Sequence, residues 1–216
     1  MGWGRRATYS HASRLLGAGW LERCERTRGQ GSLVYASRAG VRACRTKAAP
    51  VPRDPSPVSW PHCDASAWTA AWLTARRRGM VGSREMLLKH EWYGDLRWRV
   101  RGETRERRHR PDLAGQLPDG RLLPIEVELI QKSAAGLRAV LSLHAEWVMS
   151  GRSPAVMYVC DGQGLAELVG TLGEEVGLSV ERGTLRIELI QTIQEEAIKA
   201  RKLGSARSPE RVEVAA

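Results

Sequence analysis

The sequence predicts an α/β protein, an α+β mixture built on a mixed sheet, that follows a smaller basic segment. Alternating apolar and polar residues predict a strand over residues 122 to 130, and an amphipathic pattern predicts a long helix over residues 132 to 149. An apolar run at residues 154 to 160 predicts a buried strand. Because a helix between two such strands implies a crossover connection, we expect at least one parallel strand pair.

A proline-rich stretch marks the expected domain boundary. Residues 49 to 63 contain five prolines, which is typical of a linker. Residues 1 to 48 are therefore expected to form one unit and residues 64 to 203 another. Residues 204 to 216 are expected to be a disordered tail.

Shorter patterns predict the other elements of the second unit. In chain order they are helices over 64–77 and 83–90, a strand over 92–100, a further strand after Pro111, and then, after the apolar strand, a helix over 163–175, a strand over 184–189 and a helix over 191–202.

The composition indicates an ordinary globular protein. The chain has 216 residues, of which 42% are hydrophobic and 27% charged, and no apolar run approaches the length of a membrane span. We expect a cytoplasmic protein without membrane contact. Four scattered cysteines without a CxxC pair predict reduced thiols, and the same lack of paired spacing disfavours a zinc site at His62 and Cys63.

Positive charge is concentrated in two places. The net charge is +10, yet residues 1 to 50 alone hold nine Arg and one Lys against two Glu. Residues 97 to 110 hold seven Arg against two Glu. Such patches predict a polyanionic partner, most simply nucleic acid. A genome that favours Arg codons would explain the number of arginines but not their clustering.

The first unit is expected to be a helix, a hairpin and a second helix. Residues 5 to 17 predict the first helix, and Gly17 and Gly19 suit its end. Two short apolar runs around a polar, Gly-containing turn at residues 27 to 32 predict the hairpin. Ser37 is the expected N-cap of the next helix.

This order resembles the second half of a winged helix, so we expect a partial N-terminal winged helix. In that resemblance the first helix is the recognition helix and the hairpin is the wing. The residues that it would present to DNA are Arg5, Arg6, Tyr9, His11 and Arg14 on the helix and Arg26 and Arg28 on the wing. The alternative is a basic helical hairpin that only packs on the second unit.

Acidic residues and a lysine gather around the central predicted strand. Glu126 and Glu128 are two residues apart on a strand and therefore share a face. Asp112, after Pro111, is expected across a hairpin from them, and Lys132 follows just beyond the strand. Only five of the 34 basic residues are lysines, which makes a lysine at this place informative.

This group predicts a divalent metal site. Adjacent carboxylates repel each other unless a cation lies between them, and Mg²⁺ or Mn²⁺ prefers oxygen ligands. The expected ligands are Asp112, Glu126 and Glu128, with Glu85 from the preceding helix as a further candidate. Lys132 would orient an attacking water or neutralise a phosphate.

A strand with one polar face produces Glu-x-Glu without any function, and this chain contains such a case. Residues 186 to 191, Arg-Ile-Glu-Leu-Ile-Gln, repeat residues 126 to 131 with Arg in place of the first acid. That repeat has neither an upstream Pro-Asp nor a lysine directly after the Gln. The complete set of residues, rather than Glu-x-Glu alone, therefore carries the prediction.

The set resembles the PD-(D/E)xK nuclease superfamily, whose core is α-β-β-β-α-β, and so implies a restriction-endonuclease-like fold. More narrowly, a winged helix followed by Arg-Pro-Asp, Ile-Glu-Val-Glu-Leu and Lys-Ser resembles the replication-relaxation family of bacterial and plasmid proteins. The resemblance assigns the metal-binding acid positions to Asp112 and Glu126. The superfamily's lysine is replaced by Glu128, and Lys132 is a candidate substitute.

Two functions follow from this resemblance. The first is a DNA-binding protein of plasmid or mobile-element replication or transfer that hydrolyses phosphodiesters, catalysed by Asp112, Glu126, Glu128 and Lys132. The basic segment before Asp112 would hold the DNA backbone, and its arginines are Arg105, Arg107, Arg108 and Arg110. The second is a non-catalytic DNA-binding accessory factor or transcriptional regulator on the same fold. Expected partners are DNA, replication or relaxase proteins, and a second copy of the chain.

A third function is a protein-interaction module with a tryptophan face, formed by Trp60, Trp68, Trp72, Trp92 and Trp98. Core packing explains most of these tryptophans equally well. His109 is interpreted as an exposed loop residue and His144 as a helix-face residue, neither of them catalytic.

Overall fold

The structure is a computed structural model and describes residues 5–24, 33–43, 60–76, 78–86, 94–100 and 103–206. The helices are α1 (Arg5–Gly17), α2 (Arg38–Ala43), α3 (Trp60–Ala75), α4 (Ser83–Met86), α5 (Ala134–Met149), α6 (Gln163–Glu175) and α7 (Ile190–Ala206). The strands are β1 (Leu21–Cys24), β2 (Leu33–Ala36), β3 (Met80–Gly82), β4 (Gly94–Val100), β5 (Glu103–His109), β6 (Leu113–Gln116), β7 (Leu122–Glu128), β8 (Val156–Cys160) and β9 (Leu185–Leu189).

A five-stranded mixed sheet with the order β3-β6-β7-β8-β9 forms the centre of the second unit. Strands β3, β6 and β7 pair antiparallel, whereas β8 runs parallel to both β7 and β9. The predicted α/β class, the mixed sheet and the crossover through α5 are therefore confirmed. Strand β3 was not predicted, because three residues are too few to show an alternating pattern.

The central strands β7 and β8 bury both of their faces. Ile125 and Met157 on one face pack in a cluster with Trp72 from α3 and Ile193 from α7. The opposite face carries Tyr158, which packs with apolar residues of α5 and α6. Burying one such aliphatic side chain stabilises a fold by about 1.5–3 kcal/mol, so the two layers fix the sheet between two helix pairs.

Helix α5 carries the connection from β7 to β8. Ser133 caps its first turn, where the Ser133 hydroxyl oxygen accepts a hydrogen bond from the Gly136 amide at 3.2 Å. Leu137, Leu141 and His144 are all buried and follow one another at helical spacing. His144 therefore lies on the core-facing side of this helix.

Strands β4 and β5 pair antiparallel in a separate two-stranded sheet, the hairpin β4–β5, whose strand β4 packs on α5. The sequence predicts a strand for the first part and leaves the basic second part without a strand. The packing requires a glycine, because a Cβ at Gly94 would collide with the side chain of Leu143. The hairpin thereby brings its last residue, His109, to the sheet.

The N-terminal elements follow the predicted order of helix, antiparallel hairpin and helix. Ser37 caps α2 as expected, since its hydroxyl accepts a hydrogen bond from the Gly40 amide at 3.0 Å and donates one to the Gly19 carbonyl at 2.5 Å. Gly40 packs against the Trp20 carbonyl so closely that no side chain would fit. The predicted wing tip with Arg26 and Arg28 lies outside the described residues.

Two predicted boundaries differ from those of the structure. Helix α3 begins at Trp60, inside the stretch predicted to be a linker, because Pro61 occupies the first turn, where a helix tolerates a missing N–H. Helix α7 continues to Ala206, three residues beyond the predicted unit. The rest of the predicted tail lies outside the described residues. No helix within the described ranges has the length and apolar character needed to cross a membrane.

The two-layer core leads to a stability prediction for helix α5. Leu141 is fully buried, so Leu141→Ala should lower the free energy of unfolding by about 2–5 kcal/mol, because it leaves a cavity in the core. Met149→Ala at the exposed end of the same helix is the matched control and should change that free energy by less than about 0.5 kcal/mol. Urea unfolding followed by circular dichroism measures both, and equal effects would contradict the core assignment.

Candidate functional site

Ionisable side chains from four elements, α3, β5, β7 and α5, and from the loops before β6 and α5 meet near the carboxyl end of β7. Glu126 and Glu128 lie on β7 itself, and antiparallel pairing of Leu113 with Ile125 brings Asp112, just before β6, beside them. Lys132 follows in the loop before α5. Ligand sites of α/β sheets lie at the carboxyl ends of parallel strands, and β7 and β8 form such a pair here.

Glu126 is the most deeply buried acid of the group, with 1% of its surface exposed. Its Oε1 atom lies 2.7 Å from Nε2 of His109 and 2.8 Å from Nε2 of His144. Burial raises the pKa of this carboxyl, but the hydrogen bonds from the two imidazoles outweigh that effect and hold the pKa at about 2. Glu126 is therefore an anion in the interior, and one of its oxygen atoms accepts hydrogen bonds from both imidazoles.

One of the two histidines contradicts its sequence interpretation. His109 ends strand β5 with only 18% of its side chain exposed, so it is not an exposed loop residue. His144 lies on a helix as expected, but its side chain is completely buried. The spacing of Leu137, Leu141 and His144 was the available signal for His144, because it places a polar ring on the apolar stripe of α5. No local pattern indicated His109, which depends on how the hairpin packs.

Asp112 lies at the edge of the site and makes two contacts. Its Oδ2 atom accepts a hydrogen bond from the Val127 amide at 2.9 Å, which fixes it beside β7. The same atom lies 3.2 Å from Nε2 of His62 on α3. The hydrogen bond to Asp112 raises the pKa of His62 although burial opposes it. His62 therefore belongs to the site as a partner of Asp112, which the sequence did not indicate.

Lys132 binds the second acid of β7. Its Nζ atom lies 2.5 Å from Oε1 of Glu128, whose side chain is 3% exposed, while the lysine itself is 49% exposed. Burial raises the pKa of the Glu128 carboxyl, even though the lysine ammonium lowers it. The sequence places Lys132 just beyond the strand but does not predict this contact with Glu128.

The sequence repeat on β9 provides a structural contrast. Glu188, which corresponds to Glu128 in the repeat, pairs in register with Val159 of β8 and is partly exposed. The charged residues that influence its pKa are Glu196, Arg76 and Arg186, rather than members of the acidic group. The repeat thus leads to no second site, as its missing Pro-Asp and lysine indicated.

Within the described residues, the compact group of potential metal ligands consists of His109, Glu126 and His144, whose ligand atoms lie within 4.8 Å of one another. Asp112 and Glu128, which the sequence assigns as ligands with Glu126, are not part of this group. Glu85, the fourth assigned ligand, belongs to α4, and its side chain lies outside the described residues.

Two buried polar atoms next to Glu126 have no hydrogen-bond partner among the described residues. They are Nδ1 of His144 and the hydroxyl of Tyr158. Tyr158 pairs in register with Glu126 across β7 and β8, and its ring meets that of His144 edge to face at 6.3 Å. Burial and the nearby Glu126 and Glu128 raise the pKa of Tyr158 well above its usual value. The hydroxyl is therefore neutral and uncharged in the core.

The residues predicted to bind DNA lie in two places. On α1, Tyr9 and Arg14 are exposed and His11 is half-buried, with Arg14 2.8 Å from Nδ1 of His11. Arg5 and Arg6 belong to the first turn of α1, and their side chains lie outside the described part. The basic hairpin contributes Arg105, Arg107 and Arg108 on β5 and Arg110 directly after it.

Comparisons with protein-family models, with curated proteins and with solved structures found no match to this chain.

The raised pKa of His109 leads to a pH-dependent contribution to stability. A raised pKa means that the interaction with Glu126 is fully present below the ordinary histidine pKa of about 6.5 and is lost as the pH rises through the folded value. His109→Gln should therefore cost more stability at about pH 5.5 than at about pH 9, by roughly 1–3 kcal/mol at the lower pH.

Urea unfolding in the presence of a chelator, at both pH values, measures this difference. The matched control repeats the comparison in a Glu126→Gln background, so that the proteins with and without His109→Gln both carry Glu126→Gln. In that background His109→Gln should lose most of its pH dependence, because the anion that raises the pKa is gone. A cost of His109→Gln that is equal at both pH values in the unmodified background would contradict the pairing.

Proposed function

We propose that this chain is a DNA-binding protein of plasmid or mobile-element replication or transfer, and that its second unit carries a nuclease-like metal site that hydrolyses DNA phosphodiesters. The observation that carries the proposal is the meeting of Asp112, Glu126, Glu128 and Lys132 at the end of the central strand. Cytoplasmic location is part of the same proposal.

The order of elements supports a restriction-endonuclease-like core. Helix α3 and strands β3, β6 and β7, followed by α5 and β8, give the order α-β-β-β-α-β that the resemblance implies. Helix α4 and the hairpin β4–β5 are insertions between the first and second of these strands. Asp112 then stands at the start of the second strand and Glu126 on the third, the positions where the resemblance expects the metal-binding acids.

The exposed side of the site suits a phosphate group. Glu126 and Glu128 are buried, whereas Lys132 is 49% exposed and Asp112 28% exposed. A divalent ion held by the acids would supply a polarised water as nucleophile. The Lys132 ammonium, fixed by Glu128, would then balance the negative charge of a phosphodiester that approaches from solvent.

The basic hairpin leads directly into this site. Strand β5 carries Arg105, Arg107 and Arg108 and ends at His109, which binds Glu126. A DNA backbone that follows the hairpin would reach the acids without a further element. This continuity supports nucleic acid as the polyanion that the charge distribution indicates, with the winged-helix-like first unit as a second DNA contact.

A non-catalytic accessory factor or regulator is the second candidate, and one observation favours it. Both acids of β7 already have partners, since Glu126 accepts from two imidazoles and Glu128 binds Lys132. Glu128 also occupies the position of the superfamily's lysine. In this candidate function the acids hold the fold together while the basic surfaces bind DNA, alone or with replication or relaxase proteins or a second copy of the chain.

Plasmid cleavage tests the catalytic proposal. The chain should nick or cut supercoiled DNA with Mg²⁺ or Mn²⁺, and Asp112→Asn and Glu128→Gln should each lower the rate by roughly 10- to 100-fold or more, because they remove oxygen ligands. Glu188→Gln is the matched control, because Glu188 occupies the same place in the sequence repeat without the site. Gel electrophoresis of nicked and linear products gives the rates.

The outcome separates the two candidates. If the unmodified chain retains DNA in a salt-sensitive way and no metal supports cleavage, the accessory-factor candidate replaces the nuclease. If the unmodified chain and the variants Asp112→Asn, Glu128→Gln and Glu188→Gln all cut at equal rates, the activity comes from a contaminant or from another site.

DNA binding by the hairpin leads to a separate prediction. In fluorescence anisotropy with duplex DNA, the slope of log K against log salt should become less negative by about 2 in Arg105→Ala/Arg107→Ala, because each arginine that contacts a phosphate adds about one unit. Arg138→Ala is the control, since Arg138 on α5 pairs with Glu175 on α6, outside the hairpin. An unchanged slope in the double variant would exclude the hairpin as a phosphate-binding surface.

A further inference from the structure

We infer that His109, Glu126 and His144 form a binding site for one divalent transition-metal ion of the Mn²⁺-to-Zn²⁺ series. This site shares Glu126 with the proposed nuclease site, but its nitrogen and oxygen donors differ from the oxygen-only set that Mg²⁺ prefers. The inference concerns metal binding by the chain itself and does not require that the chain cut DNA.

The geometry already approaches that of a metal centre. The ligand atoms lie within 4.8 Å of one another, and the two imidazole Nε2 atoms are 2.7 and 2.8 Å from Oε1 of Glu126. With metal–ligand bonds of about 2.0–2.1 Å in a tetrahedral arrangement, neighbouring ligand atoms stand roughly 3.3 Å apart. An ion therefore fits if each imidazole moves outward by about half an ångström.

The three ligands come from three separate elements that the fold holds in place. His109 ends β5, Glu126 lies on the central strand, and His144 lies on the core side of α5. Glu126 and His144 are completely enclosed, whereas 18% of the His109 side chain is exposed. An ion would therefore enter from the side of His109, and a coordination position on that side would stay open to water.

The local charge also suits a divalent cation. The group contains three acidic side chains, Asp112, Glu126 and Glu128, and one basic side chain, Lys132. With neutral imidazoles, the group carries two formal negative charges, which one divalent ion balances. The neutral imidazole is also the form of histidine that binds metals.

The unpaired atoms behind Glu126 are an independent observation. Nδ1 of His144 and the Tyr158 hydroxyl are buried without partners among the described residues. Each such group costs about 1–3 kcal/mol, and a fold that tolerates two of them on neighbouring rings requires an explanation. In a metal-bound His144 the Nε2 lone pair would face the ion, and the ring proton would then be on Nδ1.

The same contacts also describe a pure hydrogen-bond triad, in which Glu126 only accepts hydrogen bonds from the two histidines and stabilises the core. That arrangement would bind no metal with useful affinity. The two explanations differ in the effect of the histidines on metal affinity, and this is a property that can be measured without any substrate.

The experiment uses the full chain without a histidine tag, treated with chelator and dialysed. Isothermal titration with Zn²⁺, Mn²⁺ and Mg²⁺, checked by elemental analysis after dialysis, should show about one site that prefers Zn²⁺ or Mn²⁺ over Mg²⁺. His109→Gln and His144→Gln should weaken that binding by about 100-fold or more, since each removes a ligand. His11→Gln is the matched control and should leave it unchanged, because His11 lies on α1 with Arg14 as its partner and is not part of the ligand group.

The design allows for an unstable variant. Because His144 is fully buried, urea unfolding and circular dichroism must first show that His144→Gln is folded. If His144→Gln is unfolded, the test relies on His109→Gln, since His109 is the more exposed ligand. The inference is overturned if the folded unmodified chain binds neither Zn²⁺ nor Mn²⁺, if His109→Gln leaves the affinity unchanged, or if His11→Gln weakens it equally.

Failure of this inference can be told apart from failure of the proposed function. Tight Zn²⁺ or Mn²⁺ binding through the histidines, in a chain that does not cut DNA under any condition, supports the metal site and removes the nuclease. Mg²⁺-dependent cutting that is lost in Asp112→Asn, in a chain that binds neither Zn²⁺ nor Mn²⁺ in the titration, supports the nuclease and overturns the histidine site.

Discussion

A buried carboxylate at the centre of the sheet is the constraint around which the second unit is arranged. Glu126 is 1% exposed on the middle strand, and an isolated carboxylate there would cost far more than a fold of this size provides. His109 and His144 offset that free-energy cost by donating hydrogen bonds to Oε1 of Glu126. Neither imidazole belongs to β7, so the hairpin β4–β5 and helix α5 must pack close enough to β7 for His109 and His144 to contact Glu126.

That packing explains several features that are otherwise unrelated. Gly94 lets the hairpin lie against Leu143, one residue before His144, so both histidines reach the same oxygen atom from neighbouring elements. The Ser133 cap and the apolar stripe of α5 fix the rotation of that helix, and with it the direction of His144. On the other side, the Val127 amide holds Asp112 beside the strand. The acidic residues that the sequence places on and beside β7 therefore form a site only because these tertiary contacts add the histidines and fix Asp112.

The sequence predicted the parts of this arrangement that depend on neighbours along the chain. Alternation placed Glu126 and Glu128 on one face, and the hairpin turn placed Asp112 beside them. The sequence did not predict that Lys132 pairs with Glu128, or that two histidines contact Glu126. The contact of His109 depends on a hairpin whose second strand reads only as a run of charge, and that of His144 depends on how α5 packs on the sheet. Helix α3 began earlier than expected for a simpler reason: Pro61 signals both a linker and a first helical turn.

The stability of the fold alone does not account for this cluster. Apolar side chains of similar volume in place of a buried charged group and its partners are often neutral or stabilising, and here they would also remove the unpaired atoms of His144 and Tyr158. A chain that keeps Glu126, Glu128 and His144 in its core gives up that stability. It does so at the carboxyl end of a parallel strand pair, with Lys132 and Asp112 facing solvent and a basic strand that ends in the cluster. Ionisable groups that are costly in the interior and accessible from one side are the expected arrangement for binding a cation and, through it, an anion.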